Sequence, residues 1–281
     1  MFHGGGLIVG SSEAIPWPQT GYLVSHGFVV VAPNYRLCPQ VTAEEAFADC
    51  CDAYAWATTT LPEHLQATLV DTSRVVAMGH SSGGTLALHI GSTCANVAAV
   101  TAFYPSLYFA DTSTSAHQPT TAPPFGIMPD FVPSDEDWKL IKPDDKQISE
   151  VAMPVPGSVP PPRSRWQGHA LKHGQWPSIL QPDGNYEAID PFTRLNASWP
   201  PVMLVQGDAD RLPGSGMALV QRAVDEMKAA GVSEVELEVI EGESHMFDLP
   251  PTIGRSDVGP KWQAVVKGLD WLCSHVQDCR L

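Results

Sequence analysis

The feature that most constrains this chain is the run Val75-Val76-Ala77-Met78-Gly79-His80-Ser81-Ser82-Gly83-Gly84-Thr85-Leu86-Ala87-Leu88. An apolar, strand-like segment leads into Gly-x-Ser-x-Gly and then into a helical segment. A serine in that position sits on a sharp turn, and small residues two places to either side let strand and helix approach each other there. Its Oγ then projects above a sheet, while the N-terminus of the following helix supplies N–H donors and a partial positive charge. Gly-x-Ser-x-Gly alone is a weak signal. Between a strand and a helix it predicts a nucleophile, Ser81.

The rest of the chain supplies the sheet that such a turn needs. Residues 28–32, 75–78, 97–103 and 202–205 read as short, nearly continuous apolar runs, the pattern of parallel strands buried on both faces. Residues 235–239 alternate with period two and so belong near a sheet edge. Helical periodicity fills the intervals at residues 43–57, 214–230 and 262–276. The expected fold class is α/β, a mostly parallel sheet with helices on both faces. The stretch 112–184 breaks the alternation. Eleven of the 26 prolines lie between Thr112 and Pro162, and an irregular insertion of that length in a compact domain is a lid or a linker. Trp138, Trp166 and Trp176 favour a lid, since linkers seldom carry aromatics. The expected division is therefore a core of residues 1–111 and 185–281 with a lid or cap at 112–184.

Composition narrows the function. With 16 Lys and Arg against 31 Asp and Glu, the net charge of −15 repels phosphate backbones and anionic lipid. The expected partner is a small molecule rather than nucleic acid. No apolar run reaches the ~18 residues of a membrane span, and no leader-like segment opens the chain, so a cytoplasmic location is expected. The six cysteines include no C-x-x-C pair and read as reduced thiols, with a Cys273–Cys279 bridge as the alternative. His169 and His173 are four apart but lack the glutamate of a zinc-protease helix. No metal and no cofactor is expected, and oligomeric state stays open.

A serine hydroxyl needs a base, and the base needs an orienting acid. His245, in the loop beyond the edge strand, is the candidate base. Asp208 and Asp210 follow the strand at 202–205. A Gly-x-x-Asp spacing from Gly207 sets Asp210 past the turn and towards the histidine, leaving Asp208 to stabilise the turn. Both loops fall at the C-terminal ends of strands, where open α/β sheets keep their sites.

With these residues in place, the chain resembles the hormone-sensitive lipase family of α/β-hydrolases, the esterases marked by an HGGG loop. His3-Gly4-Gly5-Gly6 matches that loop, residues 33–39 (PNYRLCP) are similar to the family's DYRLAPE segment, and residues 79–84 match its GDSAGG elbow. The resemblance implies a carboxylic-ester hydrolase with Ser81, Asp210 and His245 as its triad. It also implies that Gly5, Gly6 and Ser82 donate N–H groups to the oxyanion. Glycine suits that task because its amide can approach a ligand with no Cβ in the way. His3 is expected to orient the loop rather than to exchange protons.

The chain also departs from the family. His80 replaces the usual acidic residue before the nucleophile, as in kynurenine formamidase, which leaves an amide substrate open. The insertion is unlike the usual cap. An amide, lactone or thioester substrate, or a cyclisation in specialised metabolism, is therefore the alternative reading, and a ligand receptor on a hydrolase fold is a minor one. In the family a central strand and a capping region precede the glycine loop, whereas here only Met1 and Phe2 do. On that resemblance either the neighbouring strands close around a stub or the natural chain begins further upstream; the second is favoured, with the expectation that an extended form gains stability and activity.

Overall fold

Three apolar runs and one alternating segment make one parallel sheet, and the apolar residues on its two faces gather into separate cores. The computed structural model describes residues 1–65, 70–116, 121–122, 126–127, 129–144, 146–152, 159–248 and 259–276. In chain order the elements are α1 (Trp17–Ser25), α2 (Ala43–Thr59), α3 (Leu61–His64), β1 (Val75–His80), α4 (Ser82–Thr93) and β2 (Val97–Phe103). The two-residue strands β3 (Thr121–Ala122) and β4 (Gly126–Ile127) follow, then α5 (Asp135–Ile141), α6 (Pro162–Lys172) and α7 (Trp176–Leu180). The chain ends with β5 (Val202–Gly207), α8 (Met217–Ala229), β6 (Val235–Ile240) and α9 (Pro260–Ser274).

The sheet has the order β1-β2-β5-β6, all parallel. Along β5, Val202 and Leu204 join one core with Val100, Leu86 and Val224, whereas Met203 and Val205 join the other with Phe103, Val265 and Leu269. This is the period of two acting on a strand covered on both sides. α4 packs on β1 and β2, and α9 packs on β2, β5 and β6. α2 begins at a capping box in which the Thr42 side chain accepts from the Glu45 N–H and Glu45 answers the Thr42 N–H. Edge strand β6 leaves Glu236 and Val239 exposed. Among the described residues no helix is long and apolar enough to cross a membrane.

Two expectations are corrected. Residues 28–32 run without ladder pairing, and Phe28 and Val30 are only half-buried while Val29 is exposed. Their backbone neighbour is Met1, whose amino group donates to Val31 O at 2.8 Å, and next to it Phe2 makes a single parallel bridge to Gly79. One hydrogen bond does not build a strand, and an apolar groove of about 390 Å³ lies between residues 28–31 and β1.

The second correction concerns residues 112–184, which are not simply irregular: they carry α5, α6 and α7. Proline is tolerated in the first helical turn, where its missing N–H has no acceptor. Pro162 opens α6, and Pro177 stands in the first turn of α7. The Cys273–Cys279 alternative reaches outside the described residues, as does Cys279 itself.

Candidate active site

Ser81 joins β1 to α4 with φ 57° and ψ −126°, a left-handed conformation that a residue with a Cβ adopts only under constraint. The glycines around it are required by space. A Cβ on Gly79 would lie 2.1 Å from Gly83 O, and one on Gly83 would lie 2.2 Å from Phe2 O. The turn is held by Ser81 N–H donating to Phe103 O at 2.9 Å and by Gly84 N–H donating to Ser81 O at 2.8 Å.

The residues expected to act together converge. His245 Nε2 lies 2.9 Å from Ser81 Oγ, and its Nδ1 lies 2.7 Å from Asp210 Oδ2. A carboxylate only accepts, so Nδ1 carries the proton and Nε2 presents its lone pair to the hydroxyl. Asp210 is fully buried, and its remaining capacity is filled by Gln206 Nε2 at 3.0 Å and Leu212 N–H at 2.9 Å. Asp208 instead accepts from Gly242 N–H at 2.7 Å and ties the two loops together. Gly207 lets the histidine loop come close, since a Cβ there would meet Glu243 O at 2.3 Å.

The glycine loop lies against this turn. A Cβ on Gly4 would approach Ser81 Cβ to 3.2 Å. Gly5 and Gly6 have φ of 115° and 62°, and among the described residues none accepts from the N–H of Gly5, Gly6 or Ser82. His3 Nδ1 donates to Gly4 O at 2.7 Å, and its ring stacks on Tyr35 at 4.3 Å. Burial pushes the His3 imidazole down to about 4, so at neutral pH it is an uncharged spacer. A hydroxyl and a proton acceptor thus meet beside a glycine loop whose Gly5 and Gly6 amides have no acceptor among the described residues, an arrangement that suits attack on a carbonyl.

A second polar cluster behind Ser81 was not foreseen. His80 Nε2 lies 3.1 Å from Asp248 Oδ2 and 2.9 Å from Gln19 Oε1. Gln19 Nε2 donates to the same carboxylate at 2.6 Å, and the Tyr104 hydroxyl donates to its other oxygen. Burial alone would raise the Asp248 carboxyl, but His80 and the hydrogen bonds from His80, Tyr104 and Gln19 outweigh it and hold the group below the usual carboxylate range. One sequence signal existed. Gln19 stands four residues before Leu23 on α1, and these two are the buried positions of that helix, so a glutamine occupies an apolar-stripe site.

Elsewhere, His169 and His173 lie at the end of α6 rather than in irregular chain, where ring nitrogens from both come within 4.8 Å of each other and of an Asp130 oxygen. Lys172 Nζ already balances that carboxylate at 2.9 Å.

Comparison with known proteins agrees with this architecture. Residues 1–158 match a family model described as alpha/beta hydrolase fold, that of the hormone-sensitive lipase-like family. The non-reducing polyketide synthase ausA of Penicillium brasilianum is 30% identical over 328 aligned positions, covering 98% of this chain and 12% of that protein. The chain thus spans about an eighth of the curated relatives it matches. Among solved structures, a protein of unknown function from Staphylococcus aureus subsp. aureus Mu50 superposes with TM-score 0.71 at 18% identity, covering 98% of this chain and 88% of that one. Esterase 2 of Thermogutta terrifontis, phosphonylated by sarin, superposes with TM-score 0.58 at 22% identity, covering 96% and 79%. At these identities the structural likeness speaks for the fold.

Proposed function

The chain belongs to the alpha/beta hydrolase fold family, and on that premise we propose that it is a serine hydrolase that cleaves a carboxylic ester through an acyl-enzyme. Ser81 Oγ attacks the carbonyl carbon while His245 Nε2 takes the hydroxyl proton. Asp210 holds the imidazolium that forms. Charge that develops on the carbonyl oxygen is met by the N–H groups of Gly5, Gly6 and Ser82, and by the N-terminus of α4. His245 then returns the proton to the leaving alcohol. Water repeats the sequence with the roles of nucleophile and leaving group exchanged, which frees the acid and restores Ser81.

The observation that carries this reading is the unbroken relay Asp210–His245–Ser81, at 2.7 and 2.9 Å, ending on a serine held at positive φ. Turnover of short-chain p-nitrophenyl esters by the protein and by Ser81→Ala tests it. Equal activity in both would remove the assignment.

A second reading keeps the relay and changes the acyl donor. The non-reducing polyketide synthase ausA aligns with 98% of this chain, which favours an acyl donor of specialised metabolism, a thioester or a lactone precursor, over a simple ester. The same serine would then take the acyl group from a thioester, the thiol leaving with the proton from His245, and pass it to water or to a hydroxyl of the same acyl chain, which closes a lactone. Slow turnover of simple esters beside fast turnover of an acyl N-acetylcysteamine thioester, with stoichiometric fluorophosphonate labelling of Ser81, selects it.

A further inference from the structure

The glycine loop is gripped from outside by the 112–184 segment. Arg163 and Gln167, four residues apart on α6, share one helix face. From it Arg163 Nε donates to Ile8 O at 2.6 Å, and Gln167 Nε2 donates to Gly5 O at 2.7 Å. From α7, Trp176 Nε1 donates to Gly6 O at 2.9 Å. Arg163 also reaches Cys38 O at 2.5 Å, which ties α6 to the chain beside the loop.

A trans peptide is planar, and its C=O and N–H point in opposite directions. Whatever holds the carbonyl of Gly5 therefore aims the N–H of Gly6, and whatever holds the carbonyl of Gly4 aims the N–H of Gly5. His3 Nδ1 holds Gly4 O at 2.7 Å. Gln167 makes the shortest of three hydrogen bonds to Gly5 O, the others coming from Ile8 N–H at 3.1 Å and Val9 N–H at 3.0 Å. Among the described residues Trp176 is the donor to Gly6 O, and it fixes the exit of the loop. The glycine at position 6 makes room for both. A Cβ there would lie 2.5 Å from Gln167 Nε2 and 3.3 Å from Trp176 Nε1.

We propose that Gln167 and Trp176 are positioning residues of the oxyanion hole, so that the 112–184 segment takes part in the catalytic apparatus. The proposal rests on the serine-hydrolase reading above. It assigns each side chain a task that substrate need not touch. Gln167 sets the plane of the Gly5–Gly6 peptide, and Trp176 sets that of the next peptide. His3 belongs to the loop and Gln167 to α6, so the carbonyls of Gly4 and Gly5 are held by separate side chains.

The test uses the whole chain carrying Gln167→Leu or Trp176→Phe, the second of which keeps an aromatic ring and removes only the donor. Turnover of a p-nitrophenyl ester is expressed per site titrated to completion by a fluorophosphonate, so misfolded protein does not count. Displacement of reacting groups by about 1 Å costs up to about 10²-fold. The backbone donors remaining on Gly5 O reduce that, and the expected loss in kcat is about tenfold to thirtyfold, with KM within twofold. Affinity for a trifluoromethyl ketone, which forms a tetrahedral adduct on the serine, falls by the same factor as kcat/KM. Were Gln167→Leu to fold poorly, Gln167→Asn, whose amide stops one methylene short of Gly5 O, carries the same comparison. Wild-type kcat per titrated site in both variants would overturn the proposal and leave the hydrolase reading standing, as would a loss confined to KM. Absence of both turnover and labelling in the wild type would take down the two together.

Discussion

Two buried histidine–carboxylate pairs stand on either side of the same turn, and only one of them has a nitrogen left for the serine. His245 engages Asp210 through Nδ1 and turns Nε2 to Ser81 Oγ. His80, adjacent to Ser81 in the chain, engages Asp248 and Gln19 through Nε2, and its Nδ1 is buried with no hydrogen-bond partner among the described residues. The ring of His80 stacks on Phe103 at 4.8 Å, within the core that α9 covers. The residue types are the same in both pairs. The difference lies in where the strand ends. β1 sends His80 into the sheet's interior, while the positive φ of Ser81 and the loop after β6 bring His245 above it. A base is defined here by what its second nitrogen faces, and His80 faces the core.

The largest test replaces each histidine in turn. His245→Ala is expected to lower kcat by about 10⁶-fold, as loss of the base does in a serine hydrolase, and to cost stability of the same order as His80→Ala, since it too leaves a buried carboxylate without its histidine. His80→Ala should leave kcat within about tenfold. It strips Asp248 of its partner and should cost about 3–5 kcal/mol of stability, the range found for breaking a buried pair. Ester turnover and urea denaturation read the two effects. A His80 variant as inactive as His245→Ala, at unchanged stability, would break the comparison.

The carboxylates sharpen it. Asp210→Asn keeps the shape but holds the wrong tautomer, and kcat should drop by about 10⁴-fold. Asp248→Asn should change kcat by less than tenfold and change acid stability instead. The folded carboxyl of Asp248 is held low, so its stabilisation is present above the unfolded value near 4 and fades as pH falls through the lower folded value. Denaturation midpoints between pH 2 and 5 for wild type and Asp248→Asn check the sign.

How much of this was legible in the sequence follows the range of the forces involved. Residues 97–103 were read as a strand and are β2, because a continuous apolar run between turn signals has few other uses. The meeting of Ser81, Asp210 and His245 was legible because each lies at the end of a recognisable strand. Residues 28–32 carry the same apolar signal yet form no ladder, since pairing depends on a neighbour that the run itself does not encode. Gln167 and Asp248 were not legible as contacts of the site. Their partners lie 162 residues away at Gly5 and 144 residues away at Tyr104, and no local period records such a distance.

A third buried histidine isolates the role of the carboxylate. His3 has the Gly4 carbonyl and the Tyr35 ring as neighbours but, among the described residues, no acid, and burial pushes it down to about 4 from its usual 6.5. Between those values the unfolded chain binds a proton that the folded chain does not, so stability rises with pH across the window. The gain from this group is about 3 kcal/mol between pH 4 and 6.5. Urea titrations over that range should show a slope smaller by up to one proton in His3→Asn. An unchanged slope would mean that His3 takes up its proton in the folded state.

The smallest effect separates the two aspartates of the loop after β5. Asp210 contacts the histidine, while among the described residues the Asp208 carboxylate accepts one hydrogen bond, from Gly242 N–H at 2.7 Å. That bond joins the turn after β5 to the turn after β6, the two loops that carry Asp210 and His245. It is partly exposed, so water replaces the lost acceptor in Asp208→Ala, and the cost should be near the ordinary net value of about 1 kcal/mol. If the bond only braces the turn, kcat stays within about threefold, because Leu212 N–H and Gln206 still hold Asp210. Stability from denaturation and kcat from ester turnover, measured on one preparation, decide the point. A kcat loss near that of Asp210→Asn would show that the spacing of the two loops, more than the carboxylate itself, sets the histidine in place.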